Sequence, residues 1–553
     1  MNNANERYGS ADLAKAEDLE KAGLLNNNAL PMGFTDEAQP RQIGFDADTP
    51  ILVVGSAGTG KQTTLISYQL LHPEHTVVLD MKGESYAISA MMQAFFKCYG
   101  FNPYGLFTDK PWYAPTNFKL NPLDVIEQGS ASKYEECMSM AQNLIAKPSG
   151  GDGTSQHFYG KAVQILTAIL VVLKDNNNHA SLVDVYHVVG DIRTEAFEAL
   201  HYPAMIASPY HAVRQVAEEL LTKQSQAPAE FESIMSTVSN ALQILGSPAL
   251  QMALSSPSTI TPQEFCASEQ VSKLFLMIPA HLVEACAPVI RCIFASLTIA
   301  QQRKPTQRIH LLLDEAGQLG NFDAMPRMFS YGRGSKSRVS AYFQNIGQGL
   351  QHYGKDGFDT IFSNAQTKLI LGVSSKLSAE MISDYLGQTT YEYYPKSKSI
   401  ERHAKQVKLM HDMLKSGDVL PALPEIQREH ELMDLPEAVK RPLITPDELI
   451  RMPPDKGLMA FQGLGIHPYV YKKIPYFKNP NVAHKFLPNP YHPPFDKVTL
   501  PKGLWGKKTV PIISEPVPNC LSHLPQYSSG MWSYPKGYPP YTPSLWQRLK
   551  GKR

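Results

Sequence analysis

Two short stretches of this 553-residue chain carry residue types that could do phosphate chemistry. The first is Gly55-Ser56-Ala57-Gly58-Thr59-Gly60-Lys61, which fits the pattern G-x-x-x-x-G-K. Glycines let a backbone curl until successive N–H groups point inward at phosphate oxygens, and the helix such a loop opens adds positive potential. Lys61 would supply a point charge to the β- and γ-phosphates. The pattern asks next for a Ser or Thr whose hydroxyl binds Mg2+. Gln62 stands there instead, followed by Thr63 and Thr64. Either Thr63 substitutes through a shifted register, or metal binding is weakened. The second stretch is the apolar run 309–313, which ends in Asp314-Glu315. Asp314 would hold Mg2+ directly or through water, and Glu315 would orient and deprotonate an attacking water. Beyond it lie Arg327, Arg333, Lys336 and Arg338, around Gly332 and Gly334. They suit three roles: an arginine reaching the γ-phosphate of a neighbouring subunit, a loop facing nucleic-acid phosphates, or a solvated basic loop. Gln344 closes the next apolar run, 339–343, where an amide can sense a γ-phosphate or position water.

These residues need a sheet to hold them. Ile51 to Val54 is a continuous apolar run between Pro50 and Gly55, the signature of a strand buried on both faces. A helical stretch at 63–71 and a second apolar strand at 76–80 complete a βαβ unit. Sheet signals resume at 274–278, 309–313, 339–343 and 368–373, with helices between, such as 287–302. Strands alternating with helices predict a mostly parallel sheet. From 133 to 250 the helical period dominates (134–146, 158–173, 182–189, 213–221 and 231–245), which predicts an all-α insertion. The expected layout is a polar N-terminal segment (1–48, with a surface helix at 15–25) and a nucleotide-binding domain in two parts (49–130 and 266–478). The all-α domain (131–265) lies between those parts, and a basic tail (479–553) follows. Residues 391–440 are polar and without period, and read as a flexible surface insertion.

Composition narrows the class. A hydrophobic share of 43% excludes a chain disordered throughout. Fifty-two basic residues against 51 acidic give a net charge of +1, so bulk charge offers no argument for nucleic-acid binding. The six cysteines form no CxxC pair, which predicts free thiols in a reducing compartment. The longest apolar run, 168–173, falls far short of the ~20 residues of a spanning helix, so the chain is not expected to cross a membrane by itself. The last 75 residues carry 14 prolines, 10 Lys/Arg and two acids, a charge of +8. They are expected to be extended or disordered, without a core of their own, and to meet an acidic surface or a nucleic-acid backbone through interleaved Tyr and Trp505, Trp532 and Trp546.

Several segments together resemble the TraG-like coupling-protein ATPases of conjugation and type IV secretion. Tyr8-Gly9-Ser10-Ala11, Val77 to Glu84 (VVLDMKGE), Asn121-Pro122-Leu123 and Leu311 to Gly320 (LLLDEAGQLG) carry the likeness. So do Gly332-Arg333-Gly334, Gln344, Gly354, Gly387 within DYLGQTT, and Arg441 to Glu448 (RPLITPDE). The resemblance implies an α/β, RecA-like P-loop domain with an inserted all-α domain, assembled as a homo-hexamer with ATP sites between subunits. It implies ATP and Mg2+ as ligands, the nucleotide held by Gly55, Ser56, Ala57, Gly58, Thr59, Gly60, Lys61, Gln62 and Thr63, and the metal by Asp314 and Thr63. It assigns Lys61 to the phosphates, Glu315 to water activation, Arg333 to a finger in trans and Gln344 to a sensor. The implied partners are DNA, the relaxosome or effector proteins, and inner-membrane components of the secretion system. Family members carry N-terminal transmembrane helices, whereas this chain opens where their soluble part begins. It therefore reads as a peripheral protein docked by a partner at the cytoplasmic face of the inner membrane. Two alternatives remain: another hexameric RecA-like DNA translocase, or a nucleotide-binding adaptor without turnover.

Overall fold

The computed structural model describes residues 9–110, 112–113, 115–148, 153–393, 396–416, 437–502 and 506–542. Strands β1 (Leu30–Phe34), β2 (Gln42–Phe45), β3 (Ile51–Gly55), β4 (His75–Asp80), β5 (Lys97–Phe101), β6 (Ser272–Met277), β7 (Ile309–Leu313), β8 (Ser337–Phe343) and β9 (Thr367–Gly372) precede two paired strands. Those are β10 (Gln388–Tyr393) and β11 (Glu437–Pro442), followed by β12 (Lys456–Phe461) and β13 (Tyr469–Lys472). Eleven of these form one sheet in the order β2-β1-β13-β12-β9-β3-β8-β7-β4-β6-β5. From β9 to β5 every pairing is parallel, and from β9 to β2 every pairing is antiparallel. The parallel strands are buried at nearly every position, because helices cover both faces, and this is why they read as mainly apolar, with buried polar residues such as His310, Arg338 and Ser340 among them.

The helices from Lys133–Leu144 to Pro262–Ala267 fall between β5 and β6 in the chain. Their apolar faces join the core on one face of the sheet, where Leu166, Ile169, Phe231 and Met235 belong to the same cluster as Leu79, Leu276 and Leu311. Two helices, Gly153–Asn176 and the segment 280–303, are long and apolar enough to cross a membrane by length and composition. Here both serve as core helices, and each holds a buried cation, Lys174 and Arg291, against backbone carbonyls.

Three expectations need correction. The N-terminal 48 residues are not merely a polar segment, since β1 and β2 form a hairpin on the antiparallel edge of the sheet. The 391–440 insertion includes the ends of the β10–β11 ladder and the helix Lys396–Ser416, while 417–436 lie outside the described residues. The described part of the C-terminal tail is folded: β14 (Lys497–Lys502), β15 (Gly506–Pro516) and β16 (Met531–Pro535) make a three-stranded antiparallel sheet. Its core is largely borrowed. Ile512, Leu524, Tyr527, Trp532 and Tyr534 pack on Ala87, Met91 and Tyr113 of the first βα segment, and Gln526 donates to the carbonyls of Gln93 and Phe96. A segment that buries its aromatics on a neighbour's surface needs little apolar sequence of its own. Trp532 is therefore core, and Trp505 and Trp546 lie outside the described residues.

Some motif segments turn out to hold the fold together. Ser10 bridges Thr389, Thr389 pairs with Arg441, and the Leu443 N–H donates to the Gly387 carbonyl. Gly9 is required there, because a Cβ would sit 2.1 Å from the Gln388 carbonyl oxygen. Asn121 caps the short turn 122–125 and donates to Asp124 and to the carbonyl of Ala180.

Candidate nucleotide site

Strands β3, β8, β7 and β4 are consecutive in the sheet and parallel, so their carboxyl ends lie side by side, about 4.8 Å apart from one strand to the next. The P-loop follows β3, Gln344 follows β8, Asp314 and Glu315 follow β7, and Asp80 closes β4. Open parallel sheets bind ligands at this edge. Ala57 to Thr63, Asp80, Glu84, Asp314, Glu315, Gln318 and Gln344 line one cleft of about 570 Å3.

The loop curls through Gly58 (φ +77°) and Gly60 (φ +88°), and the helix it opens begins with a π turn at Gln62–Ile66 before becoming α-helical at Ser67–Leu71. The Thr64 hydroxyl and N–H both bond to the Gly60 carbonyl, while the Thr63 hydroxyl reaches the same oxygen at 3.4 Å. Lys61 Nζ makes an ion pair with Glu315 Oε1, and Glu315 Oε2 is enclosed without a partner. Glu315 adopts a left-handed conformation (φ +57°), a strained state for a residue with a side chain and one that proteins retain mainly at functional sites.

Asp314 and Asp80, beside the loop, resist ionisation. Burial pushes Asp314 up to about 6, with Lys61 opposing and Glu315 adding to the shift. Burial pushes Asp80 up to about 7, against the pull of two backbone N–H groups, those of Ser85 (3.2 Å) and Tyr86 (2.8 Å). A divalent cation suits such a place. Asp314 Oδ1 and Gln62 Nε2 are both enclosed without hydrogen-bond partners, and Gln62 Oε1 accepts from the Ser85 hydroxyl at 3.1 Å. Turning the amide over would let its NH2 donate to Ser85 and free its oxygen toward the cleft, a choice set only by the hydrogen-bond network. The donor set is therefore oxygen-rich and hard, as Mg2+ requires.

Four members of the anticipated set, Lys61, Asp314, Glu315 and Gln344, converge with the loop. Arg333 does not. It is exposed on the turn before β8, at the amino end of that strand and so across the sheet from its own P-loop. The other cations of that stretch divide. Arg327 is exposed, Lys336 donates to the Thr306 carbonyl, and Arg338 is fully buried with two bonds to Glu74 at 2.9 and 3.0 Å. Arg338 is thus a structural ion pair, not part of a basic loop.

Three contributors were not identified as site residues in the sequence. Asp80 ends a buried apolar strand just as Asp314 does, and that signal was available. Lys473, 4% exposed, donates to the Thr59 carbonyl of the P-loop at 3.1 Å and to the Leu371 carbonyl at 2.5 Å. Burial draws its pKa down to about 8, with Asp455 opposing. His492 reaches the cleft from the C-terminal segment. Neither Lys473 nor His492 carries a local sequence signal.

Fold and site define a RecA-like P-loop nucleotide-binding protein. The family model "Type IV secretory system Conjugative DNA transfer" matches residues 12–412, and the chain belongs to that family, the coupling proteins of type IV secretion. A conjugal transfer protein TraG of Escherichia coli is 25% identical over 533 positions, covering 86% of this chain and 78% of that protein. The type IV secretion system-coupling protein VirD4 of Bartonella quintana (strain Toulouse) is 21% identical over 388 positions, covering 68% of this chain and 58% of that protein. Among solved structures, the conjugative coupling protein TrwB, as TrwBdeltaN70 with sulphate, superposes with a TM-score of 0.57 at 16% identity, covering 86% of this chain and 96% of that one. TrwB in complex with ADP and Mg2+ gives 0.56 at 16% identity, covering 84% and 93%. At that identity the likeness establishes the fold.

Proposed function

We propose that this chain is the ATP-hydrolysing motor that drives relaxase-bound conjugative DNA or effector proteins into a type IV secretion channel. It would work as a homo-hexamer at the cytoplasmic face of the inner membrane, held there by partner proteins. The observation that carries this reading is the convergence of Lys61, Asp314, Glu315 and Gln344 on one P-loop cleft, in a chain of this family.

The residues divide the work. The N–H groups of 58–63 and Lys61 bind the phosphates. Binding draws Lys61 off Glu315, and the freed carboxylate takes a proton from water as its oxygen attacks the γ-phosphorus. The bond from that phosphorus to the β,γ-bridging oxygen breaks, and ADP leaves. Gln344 orients the water, and Arg333 of a neighbouring copy meets the charge that develops on the γ-phosphoryl oxygens. A Mg2+ ion held by Asp314, with Gln62, Thr63 and Asp80 beside it, would neutralise the β- and γ-phosphate charge. The all-α insertion is the substrate-facing surface, since none of this chemistry requires it.

ATP hydrolysis by the purified chain, with and without single-stranded DNA over a range of protein concentrations, tests the proposal. Turnover should climb with both. Lys61→Ala should lose nucleotide affinity, and Glu315→Gln should bind ATP yet hydrolyse it at least about 100-fold more slowly. Wild-type protein that binds ATP but never turns it over, even when concentrated with DNA, would leave the adaptor reading in its place.

A further inference from the structure

A second pocket of about 440 Å3 opens off the phosphate cleft. Thr63 and His492 line both, so the two spaces adjoin. Beyond them the wall is mainly apolar, formed by Tyr476, Phe477, Pro493 and Pro494. Tyr476 is buried and fixed, its ring centroid 4.3 Å from that of Phe486. Phe477 makes a T-shaped contact with Tyr476 at 5.4 Å and stays 46% exposed, a large aromatic side chain with much of its surface open.

The position of this pocket suggests its occupant. In a P-loop the lysine meets the outer phosphates, and the loop N–H groups hold the inner ones. The nucleoside therefore leaves past the residues that follow the lysine, on the side where Thr63 stands. On that side the apolar pocket begins. Apart from Thr63, its walls come from residues 476–499, beyond the end of the family model's match at 412, so the C-terminal segment builds most of the pocket.

We propose that residues 476–494 form the base pocket of the nucleotide site and hold a purine ring stacked on Phe477. This rests on the P-loop reading above. The polar groups on its wall belong to Thr63, Asn489, His492, Lys497 and Thr499, and the Thr499 hydroxyl is paired with that of Thr509 at 3.1 Å. The Asn489 amide at its rim is already committed, donating to Glu84 at 2.6 Å and accepting from the Tyr491 N–H at 2.9 Å. Recognition then follows ring area: ATP and GTP bind within a few-fold of each other, and UTP and CTP bind more weakly. The tail is thereby a working wall of the motor site.

Binding of MgATP and of Mg-tripolyphosphate, a probe with phosphates and no base, separates the possibilities in the full chain. Phe477→Ala is expected to weaken ATP by roughly 10- to 100-fold, the range of one aromatic–base stack, and to leave tripolyphosphate unchanged. Phe477→Trp should restore ATP binding, and Lys61→Ala should lose both probes. ATP binding unchanged in Phe477→Ala but lost in Lys61→Ala would place the base elsewhere and overturn this proposal alone. Equal loss of both probes in Phe477→Ala would mean a distorted P-loop and would also overturn it. Wild-type protein that binds neither probe would remove the P-loop reading and the pocket together.

Discussion

Gln62 occupies the position where a P-loop normally presents a hydroxyl to the metal, and its surroundings show how the substitution is accommodated. The longer side chain crosses to Ser85, whose N–H donates to Asp80, and it lines the same cleft as Asp80 and Asp314, two carboxylates that burial holds above their ordinary range. If its oxygen serves the metal, Gln62→Leu should raise the Mg2+ needed for half-maximal hydrolysis about tenfold, and Gln62→Thr should not. An unchanged Mg2+ titration in Gln62→Leu would show that Asp314 suffices. Asp314 gives a second test, with the sign fixed by its shift. Its folded pKa of about 6 lies above the ordinary value of 3.8, so the folded state holds the proton more tightly than the unfolded chain. The stability that this proton contributes is complete below pH 3.8 and is lost as pH rises through 6. Asp314→Asn keeps a neutral side chain at all pH values. It should therefore stabilise the nucleotide-free protein at pH 8 by on the order of 2 kcal/mol, add little at pH 4, and abolish hydrolysis. Thermal midpoints at the two pH values check this, and equal shifts at both would reject it.

At the scale of elements, the helix Val283–Arg303 joins the all-α insertion to the turn after Glu315 through one side chain. Arg291 is buried and donates to the carbonyls of Asn143 (2.7 Å) and Leu144 (3.1 Å) at the end of an insertion helix. It also donates to the Leu319 carbonyl (2.8 Å), four residues past Glu315. Replacing the guanidinium by Met strands three buried carbonyls, so Arg291→Met should lower stability by about 3 kcal/mol in chemical denaturation. It should also remove stimulation by single-stranded DNA while ATP binding persists, whereas full stimulation in the variant would reduce Arg291 to packing. Nothing in the local sequence around 291 announces this strut, because its three acceptors are backbone atoms. The central strands were legible for the opposite reason. Burial on both faces gives β3, β4, β7 and β8 each an apolar stretch (51–54, 77–79, 311–313 and 341–343), and the Gly55, Asp80, Asp314 and Gln344 that close these strands mark the site edge. Edge and borrowed elements leave no such trace. The hairpin β1–β2 is short, with Gly33 in one strand and Gly44 in the other, and β14 to β16 are rich in proline and bury their aromatics on someone else's surface. The π turn after Lys61 is likewise invisible in a sequence that reads as ordinary helix.

At the scale of the whole molecule, the separation between Arg333 and its own P-loop decides how the site can be completed. Strand β8 runs from the arginine turn at one edge of the sheet to Gln344 at the other, seven residues, or roughly 20 Å. No arginine side chain spans that distance, so Arg333 can serve a γ-phosphate only on a second copy. Copies that meet this way use different surfaces of the same chain, a head-to-tail contact of the kind that makes a ring when the rotation between copies closes. A mixing experiment follows from this geometry. Arg333→Ala and Glu315→Gln proteins should each be inactive alone, because every interface in either ring lacks one group. In an equal mixture, an Arg333→Ala copy that supplies its intact Glu315 and faces a Glu315→Gln copy that supplies its intact Arg333 makes a complete site. Random assembly places such a pair at roughly one interface in four, so the mixture should recover up to about a quarter of wild-type hydrolysis, and less if turnover passes sequentially around the ring. Recovery should disappear on dilution below the concentration at which rings form. No recovery with Arg333→Ala, together with recovery when Arg327→Ala takes its place, would move the finger six residues earlier in the chain. Full activity of Arg333→Ala alone would free that loop for the DNA backbone instead, where its loss should weaken binding uniformly across sequences and reduce the salt dependence.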